Sequence, residues 1–500
     1  MKNGPLDRIG DAGILTFDLN NSTTNTAGLL GYYSPGHANY WAGWTIGLPV
    51  RLGFVFETIT YYKWYGNIAP KGIFVNPGVY GNRRVTVSCW DYMAQLAVHE
   101  INLLSLATNK RIDEAVPLVV ANMPRAPIAT SYATGVETFA TVFDGITKGA
   151  RALGVINDLL LSEWAYGYVK GDKTGGETLV IEAQDTRPLK TNTILPKSRD
   201  DCSVLTDESG NILTDESDNI LVADEAGATA ILENPIDVKT SFGTHQTNRT
   251  ILTAYPRKVD AVASTILFTL QTPIKLSAGE TKTGVRCMFR DPSGASTRIN
   301  GKEITISATA NAQADGLGAN KTANLTVTTD TGTDAVEHSL YNSDGSDIYV
   351  ITLTATGKGI YLYDYVQMVV EDSSSQTRYE AVLTTTINCR YQNDPAKVDT
   401  ISDYVLARNT DPHTTVDSAR FCANRDATAM FCFLELEPGT KAAFSESVTA
   451  VSDNYFIQGY SFEINDANIV FWSPVLTNDP GYYVYGKWDE AIWDTSLWGP

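Results

Sequence analysis

Leu15-Thr16-Phe17-Asp18-Leu19-Asn20-Asn21-Ser22 is the stretch whose reading decides the fold. Leu15, Phe17 and Leu19 alternate with Thr16, Asp18 and Asn20, the two-residue period of a strand with one buried face, and turn formers close the run. The same grammar continues outward. Gly31-Tyr32-Tyr33-Ser34-Pro35-Gly36 marks turns, and Gly47-Leu48-Pro49-Val50-Arg51-Leu52-Gly53-Phe54 leads into another strand. Tyr62–Ile68 and Arg83–Asp91 follow, so residues from Leu15 to Val98 read as a small β-barrel pattern with no catalytic grouping. Aromatics are dense here, among them Tyr32, Tyr33, Trp41, Trp44, Phe54, Phe56 and Trp64. Two readings stay open: core and turn packing, or an aromatic surface around Trp41, Trp44 and Trp64 for sugar stacking or partner binding.

Composition bounds the rest. The 500 residues are 43% hydrophobic and only 19% charged, which fits several globular domains rather than disorder. A net charge of −19 argues against a general nucleic-acid-binding surface and favours solubility. Six widely spaced cysteines without a CxxC pair suggest reduced, mostly buried thiols. The N-terminus lacks a signal-peptide pattern and no window approaches a membrane-spanning run, so the expectation is a soluble chain made in a cytoplasm.

Further along, a helix is expected over about Asp91–Ala107, and a second from near Asn109 that ends or kinks near Pro117. A third is expected over Thr147–Ser162, followed by a hairpin of Tyr166–Lys170 and Thr178–Glu182. Residues 203–227 hold three eight-residue units of a β-rich dipeptide and an acidic turn. They read as a small inserted β-meander or, alternatively, a calcium site. Asn248–Tyr255 reads as a strand stopped by Pro256, and 264–388 as a β-sandwich. Asp394 and Pro395 open a helix to Arg408. The last strands are expected over Arg420–Leu436, Ala442–Ser447, Tyr455–Ile464 and Ile469–Leu476. The fold class is thus mainly β with a few helices, a β-rich α+β chain.

Chemistry is hard to find. The histidines His37, His99, His245, His338 and His413 form no ligand-spaced pair. There is no GxSxG elbow, phosphate loop or dinucleotide fingerprint. Glu57, Glu100, Glu114, Glu163 and Glu182 read as surface or cap residues, so no catalytic, cofactor-binding or metal residue is assigned and no enzyme is expected. Trp488, Trp493 and Trp498 recur every five residues near the C-terminus, with Asp489 and Asp494 following the first two. That spacing suits neither one helix face nor one strand face. It favours a looped peptide that docks on its own domain or on a partner, and both remain open.

Several short pieces resemble the tail hub proteins of long-tailed bacteriophages. They are Gly13–Asn21, Gly31–His37, Gly47–Leu52, Tyr62–Ile68 and Val85–Asp91, then the helix and hairpin at 147–182, Tyr255–Asp260, Phe268, Gly357–Tyr361, the helix at 395–408, and the pair Pro438–Lys441 and Tyr455–Tyr460. Phage tail-tip and fibre proteins also often end in Trp-Asp peptides. The resemblance implies two hub-type β-barrel domains plus an inserted β-sandwich. The implied division is a hub barrel with flanking helices at 1–130, a helix–hairpin domain at 131–262 containing the acidic repeat, a sandwich at 263–390, strands completing the second barrel at 391–480, and a Trp-rich peptide at 481–500.

The function implied is mechanical. A homotrimer would form a pseudo-six-fold ring under the hexameric tail tube, in the virion at the tail tip. Its partners would be tube or distal tail proteins above and a central fibre or tape-measure protein below. DNA would pass without specific binding, no membrane insertion is expected, and ring opening would release the genome. The acidic repeat and the sandwich depart from a minimal hub, and no peptidoglycan-cutting domain is recognisable. Two alternatives are a carbohydrate- or receptor-binding tail module, and a tail-tip glycoside hydrolase with two carboxylates facing across ~5–10 Å.

Overall fold

The computed structural model describes residues 7–78, 83–101, 104–144, 150–171, 175–187, 190–196, 228–294, 298–465 and 467–477. The acidic repeat at 203–227 and the peptide carrying Trp488, Trp493 and Trp498 lie outside the described residues. The chain is mainly β with six α-helices among the described residues, and two of its sheets are half-barrels.

The opening alternation becomes β1 (Ile14–Asn20). With β2 (Pro49–Phe56), β3 (Ile59–Asn76) and β4 (Arg84–Trp90) it forms an antiparallel sheet of order β1-β4-β3-β2. Register places Leu15, Phe17 and Leu19 opposite Cys89, Val87 and Val85, so the inward faces of both strands share one core with Trp44 and Ile68. Register against β4 shifts between Ile68 and Ile73 of β3. Gly72 permits that bulge, because an added Cβ would sit 2.3 Å from the Ser88 carbonyl oxygen. The two-residue turn between β2 and β3 puts both Glu57 and Thr58 at positive φ, 47° and 71°.

Asp91 caps α1 (Tyr92–Val98) by accepting the Ala94 N–H. This helix ends earlier than the apolar stripe suggests. His99 is extended, and Glu100–Ile101 pairs with Ala150–Arg151, so Ile101 reaches the same core from a strand. In α2 (Ile112–Val120) the Glu114 carboxylate accepts the Arg111 N–H. The helix passes through Pro117, because Ile112, Ala115, Val116 and Val119 all pack into the core against α3 (Ala152–Glu163). That helix starts five residues later than its sequence pattern, and the hairpin Tyr166–Gly171 and Glu177–Glu182 follows as expected.

The strand Arg249–Ala254 is the centre of a second layer, antiparallel to Val366–Glu371 and parallel to Thr384–Cys389. Between them come α4 (Ser373–Tyr379) and, after them, α5 (Pro395–Asn409), capped by Asp394 with Pro395 in its first turn. Val398, Ile401 and Val405 of α5 pack on this sheet and on Trp164. The β-sandwich runs from Arg257 to Leu362: two sheets share the core of Leu276, Cys287, Leu340 and Val350. It is narrower than the 264–388 pattern because residues 366–389 pair with Arg249–Ala254 instead.

The last sheet has the order Ile231–Leu232, Lys441–Glu446, Val451–Ile464, Val470–Thr477, Thr414–Cys422 and Asp237–Phe242. Here the expected strand Arg420–Leu436 is corrected. Strand ends at Cys422, Asp426 caps by accepting the Ala429 N–H, and α6 (Ala427–Glu435) follows. Its short apolar run satisfies either period, and the Asp cap with Ala427, Ala429 and Met430 tips it to helix.

Candidate functional site

The described residues bring the N-terminal and C-terminal sheets together along one seam, and α6 fills it. Phe54 of β2 meets Phe433 edge-to-face at 5.0 Å and Phe462 at 6.0 Å, while Phe56 meets Phe431 at 5.2 Å. Phe433 also contacts Trp472 at 5.9 Å, deep in the six-stranded sheet. Alternation along β2 forces this arrangement: its other inward residues cover the first core, and its far end reaches the last one.

Lys63 of β3 closes the seam. Its ammonium is buried, donates to the Leu434 and Leu436 carbonyls at 3.3 Å each, and pairs with Glu437. Those carbonyls end α6, where the helix dipole is negative and orphan acceptors need donors. Burial pushes the Lys63 ammonium down and the Glu437 carboxyl up, and each opposes the shift of the other. The Tyr460 hydroxyl lies 3.1 Å from the Lys63 carbonyl and 3.0 Å from Glu437 Oε2.

A second clamp holds the hairpin to the same sheet. Glu182 accepts the Tyr168 hydroxyl at 2.8 Å and Arg187 Nε at 2.8 Å, and it pairs with Lys190. Burial alone would raise this carboxyl, but Arg187 and Lys190 more than offset it and hold it below the usual glutamate range. Lys190 also donates to the Gly439 carbonyl at 2.7 Å, and Arg187 lies over the Tyr166 ring at 3.4 Å. Gly439 has φ +84°, and a Cβ there would fall 1.9 Å from the Tyr168 hydroxyl oxygen.

Between the clamps is a cleft of about 280 Å³ that contains Asp91 and Glu177. Both carboxylates have structural partners: Asp91 caps α1, and Glu177 pairs with Arg125 at 2.6 Å. Burial pushes Asp91 up to about 7 and raises Glu177 as well. At the end of α3, burial pushes Glu163 up to about 8, against the Val136 N–H at 2.6 Å. The expectation that Glu163 and Glu182 are surface or cap residues is corrected: they are 0% and 3% exposed, and their carboxylates bind the Val136 N–H and the Tyr168, Arg187 and Lys190 side chains inside the fold. Glu57 occupies the β2–β3 turn, and Glu100 pairs with Arg151 at 3.1 Å near the surface.

Of the aromatic candidates, Trp44 sits in the loop that links β1 and β2 and is buried at 4% exposure against the core of the first sheet. Trp41 is 39% exposed and stacks on Tyr32 at 6.2 Å and on Trp44 at 6.0 Å. Trp64 is half-buried on β3 and lines the seam cleft, apart from that stack. No group of three or more metal-ligating side chains occurs among the described residues. The seam escapes sequence reading because α6 reads as strand there, and the partners of Lys63 and Phe54 are remote in the chain.

No protein-family model matches the chain, and no curated protein matches it. Among solved structures it is similar to the 43 kDa tail protein of prophage MuSo2 from Shewanella oneidensis. The identity is 11% and the TM-score 0.43, over 95% of this chain and 93% of that one. It is similar to the tail protein from Neisseria meningitidis MC58 at 7% identity and TM-score 0.40, over 86% and 87% of the two chains. Prophage tail protein gp18 from Listeria monocytogenes EGD-e follows at 6% identity and TM-score 0.34, over 86% and 85%.

Proposed function

We propose that the chain is a structural component of a bacteriophage tail, a hub at the distal end of the tail tube. In this reading three copies form the ring, tube or distal tail proteins sit above it, and a central fibre or the tape-measure protein sits below. The observation that carries the reading is the seam. A hub subunit must contribute sheets from both ends of its chain to one rigid body, and Phe54, Phe56 and Lys63 dock the first sheet on the last through α6. The hub-like sequence pieces at both ends fall on those same two sheets.

The mechanism follows from how that seam is built. Pulling the two sheets apart would break the Lys63–Glu437 pair, the Lys63 hydrogen bonds to the Leu434 and Leu436 carbonyls and the Phe54 and Phe56 contacts with α6 together. Opening of the ring is therefore assigned to contacts between subunits, and each subunit moves as a block. The charge of −19 suits a channel from which DNA slides away rather than sticks. The test is the mass of the purified chain in solution and its image with the tail tube protein of its own particle. A three-fold ring that caps the tube is expected. A monomer that leaves the tube end bare overturns the reading.

A further inference from the structure

The chain crosses twice between the Arg249–Ala254 layer and the sandwich, and the two crossings lie side by side. Tyr255-Pro256 makes the first, and Tyr363-Asp364-Tyr365 makes the second. The Tyr363 N–H donates to the Pro256 carbonyl at 3.2 Å, and the rings of Tyr255 and Tyr365 are 6.3 Å apart at 52°. A cleft of about 530 Å³ opens between these crossings and Asn388. Two ion pairs border it: Arg257 with Asp144, both almost fully buried, and Arg390 with Asp158 at 3.4 Å.

We propose that this cleft is a binding site for a neutral oligosaccharide. Its size falls within the ~300–1,000 Å³ of small-ligand sites, and junctions between domains are where such sites concentrate. Tyr363 and Tyr365 are 47% and 60% exposed, so their rings offer apolar faces to the C–H face of a sugar. Asp364 and Asn388, both exposed, add acceptors and donors for ring hydroxyls. Charge selects against the other classes. Three carboxylates face two guanidiniums, which disfavours an anionic ligand. The Tyr255 and Tyr365 rings stand too close to admit a quaternary ammonium between them. The Trp41 stack plays no part, and the inference does not depend on where in a virion the chain sits.

The test uses the full chain and a printed array of neutral bacterial surface oligosaccharides, followed by titration of any hit with choline and a trigalacturonate as competitors. Saturable binding of at least one neutral glycan is expected, indifferent to both competitors. Tyr365→Ala weakens it about tenfold or more with an unchanged melting temperature, since that ring is largely in water. Tyr363→Ala provides the second exposed variant, should Tyr365→Ala fold poorly. An array without a hit, displacement by choline or trigalacturonate, or full affinity in Tyr365→Ala overturns the proposal.

Discussion

Lys63 and Glu437 are 374 residues apart in the sequence and form a buried ion pair, with the Lys63 ammonium also at the C-terminal end of α6. Breaking such a pair from one side leaves a bare charge behind. Lys63→Met is expected to lower unfolding free energy by about 3–5 kcal/mol, and so is Glu437→Leu. The double variant is expected to recover most of that loss, since neither charge is then stranded. Urea unfolding of the three variants checks this; additive losses in the double variant refute the coupling.

Gly439 makes the clamp around Glu182 specific about backbone. Gly439→Ala is expected to cost about 2–4 kcal/mol, from a positive φ and from a Cβ forced into the Tyr168 hydroxyl. Tyr168→Phe removes the obstructing oxygen. In that background the same alanine is expected to cost less, which a double-mutant cycle by denaturant unfolding measures.

Glu163 gives the protein a pH dependence. The folded carboxyl, buried at the end of α3 and near Glu137 and Asp185, keeps its proton to about pH 8. An unfolded glutamate loses it near ~4.3. Between those values the folded state holds more protons, so this contribution is full on the acid side and fades as pH rises. Glu163→Gln keeps an acceptor for the Val136 N–H and removes the titration. Unfolding at pH 5 and pH 8 is expected to show a smaller drop in Glu163→Gln than in the parent. Parallel drops refute the assignment.

The β2–β3 turn is held in an unfavourable conformation. Glu57 and Thr58 both have positive φ, and Thr58 is β-branched. Glu57→Asn combined with Thr58→Gly is expected to raise stability by about 1 kcal/mol, seen as a higher melting temperature. An unchanged or lower value would mean that the turn is not strained.

How much of this was legible in the chain follows from the range of each interaction. β1 and the hairpin at 166–182 could be read because period and turn residues are local. The Asp394-Pro395 helix start could be read for the same reason. The run from Arg420 to Leu436 could not be divided by apolar content alone, although Asp426 ahead of two alanines was the available cue. The burial of Glu163 and Glu182 depends on Val136, Arg187 and Lys190 converging in space. The seam depends on contacts between opposite ends of the chain, for which one sequence holds no local signal.

Ala254 and Val366 are register partners on adjacent strands, so everything between them hangs from what is topologically a single hairpin tip. A segment tethered that way is a cassette. Homologous exchange at its two flanks can delete it or swap it for another without unpairing a strand of the host sheet. That appendage can therefore be exchanged while the strands on either side of it keep their pairing.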